Sequence, residues 1–337
     1  MLTVNNISLP QGVKDILPDE AEIVGGAEEI ILSTFKARGF NRIMTPLVEY
    51  TDVLALGMGP ELRDRVFTFT EPATGRGVAI TPDITPQIAR VVATRMRDAP
   101  LPLKLCYNRG VLRLQESGGN AFREILQIGA EYLTDGQSPQ VDVDANAEMI
   151  TTAIEILKAL GLTDFTIDIG NTGFVRAIIE GLPVDSEEKT AIREAIALKD
   201  ISTLEGVLAR LKGEIDEAMH DLILLIPTLF GDDRVVQEAL SMVPNGETRE
   251  SLTNLAAVTE ALRKKGYGDN ITVDLGEVRG FDYYTGIIFE AFAHGVGKAI
   301  LSGGRYDTLM AQYGYPCSAI GFAFDVENLV TAMEQRG

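Results

Sequence analysis

The hydrophobic positions in the first half of the chain switch repeatedly between helical spacing and strand spacing. Residues 19–38 place apolar side chains at helical intervals and end before Gly39. Two strand-like runs, 103–114 and 123–133, are joined by a loop with two glycines. This alternation predicts a sheet with helices against it. Further strands are predicted at 40–46, 165–169, 271–275 and 287–293, and further helices at 85–96 and 146–161.

The pattern then changes to almost continuous helical spacing. Within this part, Ser202 and Glu205 predict a capping box in front of an apolar helix face. Strand signals return afterwards and continue towards the end of the chain. We therefore expect an α+β core formed by residues 1–171 and 266–337, with a mostly helical insertion at 172–265.

The composition of the chain argues against several classes of function. The chain has 337 residues, and 30 Lys and Arg against 49 Asp and Glu give a net charge of −19. Nucleic-acid affinity depends largely on basic residues, so this charge argues against tRNA or DNA as a partner, although solubility alone would explain it. No secretory signal or membrane-length apolar run is apparent, and two cysteines with two histidines favour no metal cluster. A cytoplasmic protein without metal, cofactor or membrane contact is expected.

A polar stretch precedes the helix expected at 85–96. It reads TPDIT and places Asp83 and Thr85 just before the helix, with Pro86 suited to the first helical position. One interpretation is a simple helix cap, in which Asp83 or Thr85 accepts a backbone N–H. The other is that both side chains belong to a binding site.

Polar side chains also share one face of the strand at 123–133. Because side chains alternate along a strand, Gln127, Gly129 and Glu131 point the same way. A glycine between two polar residues leaves space, so this face could be the floor of a polar pocket. A solvated sheet face is the alternative.

Two further stretches could carry chemistry. RGFDYYTG, residues 279–286, offers an arginine that could bind a carboxylate and tyrosines that could contact a ring. A structural Arg–Asp pair at a bend is the alternative. LSGGRYDTL, residues 301–309, contains a glycine pair that would let a ligand approach the backbone, or would form an ordinary turn.

Together these stretches resemble histidyl-tRNA synthetase, whose fold is that of the class II aminoacyl-tRNA synthetases, an antiparallel sheet with flanking helices. The resemblance covers most of the chain, and it implies that Pro46 lies at a homodimer interface. Its segments, in order, are PQGVKDILPDE (10–20), GFNRIMTPLVE (39–49, the first motif), 113–131 (the second motif), RGFDYYTG, GGRYD and AIGFAFDVENL (319–329, the third motif).

This resemblance implies a site for free histidine. The family more often has Glu where this chain has Asp83. The implied histidine-binding residues are Asp83, Thr85 and Gln127 at the α-amino group, Arg279 at the carboxylate, and Glu131, Tyr284 and Tyr306 around the imidazole, with Tyr283 beside them.

The positions that handle ATP in the synthetases match poorly. Asp325 and Asn328 stand where the third motif has a glycine and a phosphate-binding arginine, and the loop at 115–121 lacks its usual basic residues. Arg113 and Arg123 remain as possible phosphate contacts. Neutral drift is the alternative explanation, but the changes all affect one ligand. No catalytic residue is expected.

The same combination resembles the regulatory subunit of ATP phosphoribosyltransferase. Only nine residues follow Asn328, where a synthetase continues into an anticodon-binding domain. The resemblance implies a hetero-octamer of four regulatory and four short catalytic subunits. The catalytic subunits condense ATP with phosphoribosyl pyrophosphate, and the regulatory chain activates them and carries feedback inhibition by histidine. Two alternatives stay open: a truncated ligase that forms histidyl-adenylate, and a scaffold dimer that does not sense histidine.

Overall fold

A central sheet organises the chain. The computed structural model describes residues 8–10, 12–59, 63, 66–114, 122–211, 213–243, 245–278 and 284–335. The strands are β1 (Asn41–Arg42), β2 (Val48–Tyr50), β3 (Thr68–Thr70), β4 (Gly77–Ile80), β5 (Leu103–Leu114), β6 (Phe122–Thr134), β7 (Phe165–Asn171), β8 (Phe230–Gly231), β9 (Ile271–Asp274), β10 (Ile287–Ala293), β11 (Leu301–Arg305) and β12 (Ser318–Asp325).

Helices flank this sheet and fill the middle of the chain. They are α1 (Pro18–Ala37), α2 (Thr51–Leu54), α3 (Thr85–Arg95), α4 (Pro139–Ala159), α5 (Thr172–Gly181), α6 (Ser186–Ala197), α7 (Ile201–Arg210), α8 (Glu217–Leu225), α9 (Arg234–Met242), α10 (Glu247–Lys264), α11 (Asp307–Gln312) and α12 (Val326–Glu334). The strands and helices expected from the hydrophobic pattern are present. The strand expected at 40–46 is shorter, because only Asn41 and Arg42 pair with β5.

The sheet has nine strands in the order β1-β5-β6-β12-β11-β10-β7-β9-β8. Its centre, from β5 to β7, is antiparallel, while β1 pairs with β5 and β9 with β7 in parallel. A separate three-stranded sheet has the order β2-β4-β3. The expected α+β fold class with an antiparallel central sheet is confirmed.

The two faces of the sheet differ in chemistry. One face carries large apolar side chains such as Ile128, Phe289 and Phe322, which form one core with α1, α4 and the helices of residues 172–265. The other face is covered by α3 and α11 at one end, where Ile88 and Met310 pack on the sheet. The uncovered remainder of this second face carries glycines and polar side chains.

The helices between β7 and β9 share the main core, and β8 joins the edge of the sheet. The capping box expected at Ser202 and Glu205 is wrong. The N-cap of α7 is Asp200, whose carboxylate accepts the backbone N–H of Thr203 at 2.9 Å, so Ser202 lies inside the first turn. The division into a core and an insertion stays a prediction.

Both strands that flank β11, which are β10 and β12, approach Gly303 closely. A Cβ placed on Gly303 would lie 2.5 Å from the carbonyl oxygen of Gly321, 2.9 Å from the ring of Phe289, and against Phe322. Gly303→Ala is therefore expected to lower the free energy of unfolding by about 1–3 kcal/mol, measured by guanidinium denaturation. Gly297→Ala is the matched control, because a Cβ there meets nothing within 4 Å. Equal effects of the two changes would contradict this account of the packing.

Candidate functional site

The strand register gathers the polar residues of the second sheet face. Directly opposed residues of antiparallel strands point to the same face. Gly129 of β6 lies opposite Tyr107 of β5, and Glu131 lies opposite Gly321 of β12. Gly321 in turn lies opposite Gly304 of β11. The glycines leave a depression in the sheet, with Glu131 at its base.

Glu131 is fully buried and is held by three hydroxyl groups. Its Oε1 accepts hydrogen bonds from Thr85 Oγ1 at 2.8 Å and from the Tyr107 hydroxyl at 3.2 Å. Its Oε2 accepts a hydrogen bond from the Tyr306 hydroxyl at 2.6 Å. A buried carboxylate without such donors would be strongly disfavoured, so the three hydroxyls are what allow Glu131 to lie here.

Gly321 makes room for this carboxylate. A Cβ on Gly321 would overlap Glu131 Oε2 and lie 2.5 Å from its Cδ. Gly129 does the same for the partner hydroxyl, because a Cβ there would lie 2.5 Å from the hydroxyl of Tyr107. The glycine at 129 therefore creates space, as the sequence indicated, but a tyrosine of the next strand fills it.

A pocket of about 320 Å³ opens above this network. Gln127 is almost fully buried at its wall, and no described residue hydrogen-bonds its buried Oε1. The Glu131 carboxylate lies over Gly321, and Gly321 lines the pocket. The sequence-predicted residues that line the pocket are Asp83, Thr85, Gln127, Tyr284, Tyr306, Arg113 and Arg123.

Three further predicted residues remain, which are Arg279, Tyr283 and Pro46. Arg279 and Tyr283 fall outside the described residues. Pro46 is exposed, and its carbonyl oxygen accepts a hydrogen bond from Gln87 Nε2 at 2.9 Å. It stands beside exposed apolar side chains, with Met44 66% exposed and Leu47 60% exposed.

The contacts at the start of α3 bear on the two interpretations of Asp83 and Thr85, and the binding role of both residues stays a prediction. The N-cap of α3 is Ile84, which has no capping side chain, and Thr85 donates its hydroxyl to Glu131. Asp83 accepts the N–H of Ile84 at 2.8 Å and also lines the pocket. Thr85 therefore acts in the Glu131 network instead of capping the helix.

Tyr107 is the member of the network that the sequence analysis missed. Its signal was indirect. In the sequence, a hairpin assumed to be symmetric about the glycine pair at 118–119 would bring Tyr107 opposite Gly129, and β5 and β6 have this pairing. The residue type alone, in an apolar strand, gave no reason to single it out.

The side of the pocket near α12 carries positive charge. Arg113 donates from Nε to the carbonyl oxygen of Pro82 at 2.6 Å. Arg123 donates from Nη2 to Asp325 Oδ2 at 2.5 Å, and Asp325 Oδ1 accepts the backbone N–H of Asn328 as the N-cap of α12. Both possible phosphate contacts therefore already have partners within the protein.

The glycine pair of GGRYD lies inside β11 and does not form a turn. Arg305, which follows it, is buried and binds Asn146 Oδ1 at 3.0 Å, Asp142 Oδ1 at 3.0 Å and Asp307 Oδ1 at 3.1 Å. These contacts tie the end of β11 to α4. They fix the backbone that carries Tyr306.

Burial dominates the ionisation of the acidic groups in the site. It raises the pKa of Glu131 to about 8, while the hydroxyls of Tyr306, Thr85 and Tyr107 oppose the rise. Burial also raises the pKa of Asp83, and the positive charge of Arg113 opposes it. The pKa of the Tyr284 phenol is raised by burial too, so this group keeps its proton at neutral pH.

The sequence and structure match one lineage of known proteins. The family model described as histidyl-tRNA synthetase matches residues 12–329. A protein from Geobacter sulfurreducens named ATP phosphoribosyltransferase regulatory subunit is 44% identical over 328 residues, which cover 97% of this chain and 73% of that protein. Relatives that are 32–43% identical carry the same name. This chain belongs to the family of ATP phosphoribosyltransferase regulatory subunits.

Solved structures agree with this family assignment. A structure titled ATP phosphoribosyltransferase regulatory subunit/histidyl-tRNA synthetase, from Bacillus halodurans C, superposes with a TM-score of 0.89 at 26% identity, covering 99% of this chain and 85% of that chain. A histidine–tRNA ligase subunit from Alicyclobacillus acidocaldarius gives a TM-score of 0.80 at 27% identity, covering 98% and 97%. The class II synthetase-like fold is thereby confirmed.

Three general findings complete the description. The match spans about three quarters of the Geobacter relative, so the point at which this chain ends carries no weight in the family assignment. Within the described ranges, every helix is too short or too polar to cross a membrane. The same residues hold no group of three or more His, Cys, Asp or Glu side chains placed to bind a metal ion.

The raised pKa of Glu131 predicts a pH dependence of stability. Because the pKa is about 8 in the folded protein against 4.5 for an ordinary glutamate, the folded state binds the proton more tightly. The stabilisation is complete below about pH 4.5 and is lost as the pH rises towards 8. Guanidinium denaturation between pH 5 and pH 9 should show a smaller decline in Glu131→Gln than in the unchanged protein. Identical declines would contradict the burial of an ionisable group here.

Proposed function

We propose that this chain is a non-catalytic subunit that binds free histidine in the pocket above Glu131 and thereby controls a separate short-form ATP phosphoribosyltransferase catalytic subunit. The observation that carries the proposal is the buried Glu131 network beside Gln127 Oε1, which accepts no hydrogen bond from the described residues. The carboxyl of Glu131 and the amide oxygen of Gln127 can both accept hydrogen bonds. Free histidine has N–H groups to donate on its α-amino nitrogen and on its imidazole ring.

The α-amino group of histidine fits the acceptors near α3. Gln127 Oε1 is buried at the pocket wall without a hydrogen bond from any described residue, and the Asp83 carboxylate lies on the same pocket. An ammonium group placed between them would satisfy the orphaned carbonyl, which otherwise costs free energy. Thr85 contributes by holding Glu131.

The imidazole fits the wall formed by Gly321. Glu131 Oε2 carries one hydrogen bond, from Tyr306, and a carboxylate oxygen has a second lone pair. Since Gly321 has no side chain, Oε2 lies over this glycine, which lines the pocket, and an imidazole N–H in the pocket can reach Oε2 there. Tyr284 lines the same pocket. Arg279 and Tyr283 complete the assignment by resemblance, with Arg279 at the histidine carboxylate.

The charge distribution supports holding histidine over reacting it with ATP. Arg123 is paired with Asp325, and Arg113 is bound to the carbonyl oxygen of Pro82. A ligase that makes histidyl-adenylate needs cations that are available to the phosphates. Histidine-dependent exchange of pyrophosphate into ATP would contradict the non-catalytic role.

The assembly that we propose contains homodimers of this chain and four copies each of the regulatory and catalytic subunits. Exposed apolar side chains near Pro46, including Met44, Leu47 and Val48, give a surface suited to the homodimer contact. Histidine controls the assembly by binding one of its two arrangements more tightly than the other. A difference in binding free energy of about 1–3 kcal/mol is typical of such coupling.

The acidic net charge is consistent with no role for tRNA.

Loss of one hydroxyl should weaken histidine binding. Tyr306→Phe removes the donor to Glu131 Oε2, so the carboxylate loses its orientation, and the affinity for histidine should fall about 10–100-fold by calorimetry. Tyr313→Phe is the matched control, because the hydroxyl of this half-buried tyrosine donates to the Val53 carbonyl oxygen at 2.9 Å and Tyr313 does not line the pocket. If the unchanged protein does not bind millimolar histidine even with the catalytic subunit present, the proposal fails.

Feedback inhibition should depend on the same carboxylate. In the complex with the catalytic subunit, Glu131→Gln should raise the histidine concentration needed for half-inhibition about tenfold or more. The Glu131 carboxyl, whose pKa is about 8 without ligand, can ionise as it accepts the imidazole N–H, whereas the glutamine amide cannot. Activity is normalised to the same complex without histidine. Unchanged inhibition would favour a scaffold subunit that does not sense histidine. Co-purification of a short-form catalytic subunit with this protein tests the partnership itself.

A further inference from the structure

Three basic side chains line one side of the pocket above Glu131. They are Arg113, Arg123 and Lys298. Lys298 makes no hydrogen bond or ion pair with the part of the chain that the structure describes. Cations gathered at the wall of a pocket normally attract an anionic ligand, and phosphate groups are the commonest such ligand. A pocket for an amino acid therefore needs a feature that keeps phosphate groups away from these cations.

Asp325 supplies an anion from within the protein. Its Oδ2 lies 2.5 Å from Arg123 Nη2, and both side chains are mostly buried, with exposed fractions of 17% and 21%. Its Oδ1 accepts the backbone N–H of Asn328 at 3.2 Å, so the helix α12 holds the carboxylate in place. Glu327 is a second acid near Arg123, but at 3.8 Å it makes no hydrogen bond to it.

We propose that Asp325 determines the ligand specificity of this pocket by occupying Arg123 and excluding phosphate-bearing ligands. A phosphate that approached Arg123 would have to displace Asp325 or lie against it. Displacement leaves a buried carboxylate unpaired, and contact places two anions side by side; both raise the free energy of the complex. An amino acid bound over Gly321 does not need Arg123 and is not affected.

The test removes the negative charge of Asp325 and keeps a side chain that can cap α12. Asp325→Asn retains an acceptor for the N–H of Asn328, because asparagine caps helices about as well as aspartate. The variant leaves Arg123 without a carboxylate at hydrogen-bond distance. Pyrophosphate binding, measured by calorimetry without histidine, should become at least about tenfold tighter than in the unchanged protein, and ATP should follow the same order. Thermal unfolding checks that the variant is folded.

Two further variants make the result specific. Glu327→Gln removes a nearby acid that does not hydrogen-bond Arg123, so it should change pyrophosphate affinity much less than Asp325→Asn. The double variant Arg123→Ala with Asp325→Asn should lose the gain, because the receiving guanidinium is absent. The proposal is overturned if the unchanged protein binds pyrophosphate as tightly as Asp325→Asn, or if the double variant keeps the gain. Since histidine is absent from these measurements, their outcome is separate from that of the proposed function.

Discussion

The burial of one carboxylate organises the pocket side of the sheet. A carboxylate with no exposure to water must find hydrogen-bond donors inside the protein, and Glu131 finds three hydroxyls on three different elements. That requirement fixes the start of α3, the middle of β5 and the residue after β11 relative to each other. The glycines at 129 and 321 follow from the same requirement, because a side chain at either position would displace the network.

The hydrophobic pattern predicted most of the fold because strands and helices here have clear apolar periods. The two long strands at the centre of the sheet agree with the sequence to within a residue or so. The start of α7 was wrong by two residues, since Asp200 and Ser202 are both good caps and local preference does not choose between them. The order of the strands depends on contacts between distant segments, which a single sequence does not display.

The residues of the candidate site could be singled out from the sequence where their role depends on residue type. They could not be singled out where the role depends on which residues of neighbouring strands are paired. Gln127 and Glu131 were singled out because they share one strand face with a glycine between them, and Thr85 because it precedes a helix. Tyr107 was missed because its role depends on which residue of β6 it faces. The pairing of Arg123 with Asp325 joins residues 202 positions apart. The resemblance placed both among the positions that handle ATP, but it did not indicate that the two side chains contact each other.

The hydroxyls around Glu131 come from distant parts of the chain: Thr85 precedes it by 46 residues and Tyr306 follows it by 175. The pocket consequently exists only once the whole sheet has assembled. Any ligand of the pocket binds the native state alone and shifts the folding equilibrium towards it in proportion to the logarithm of its concentration. Because proteases cleave mainly opened chains, the abundance of such a ligand would also govern how long each copy of the protein survives in the cell.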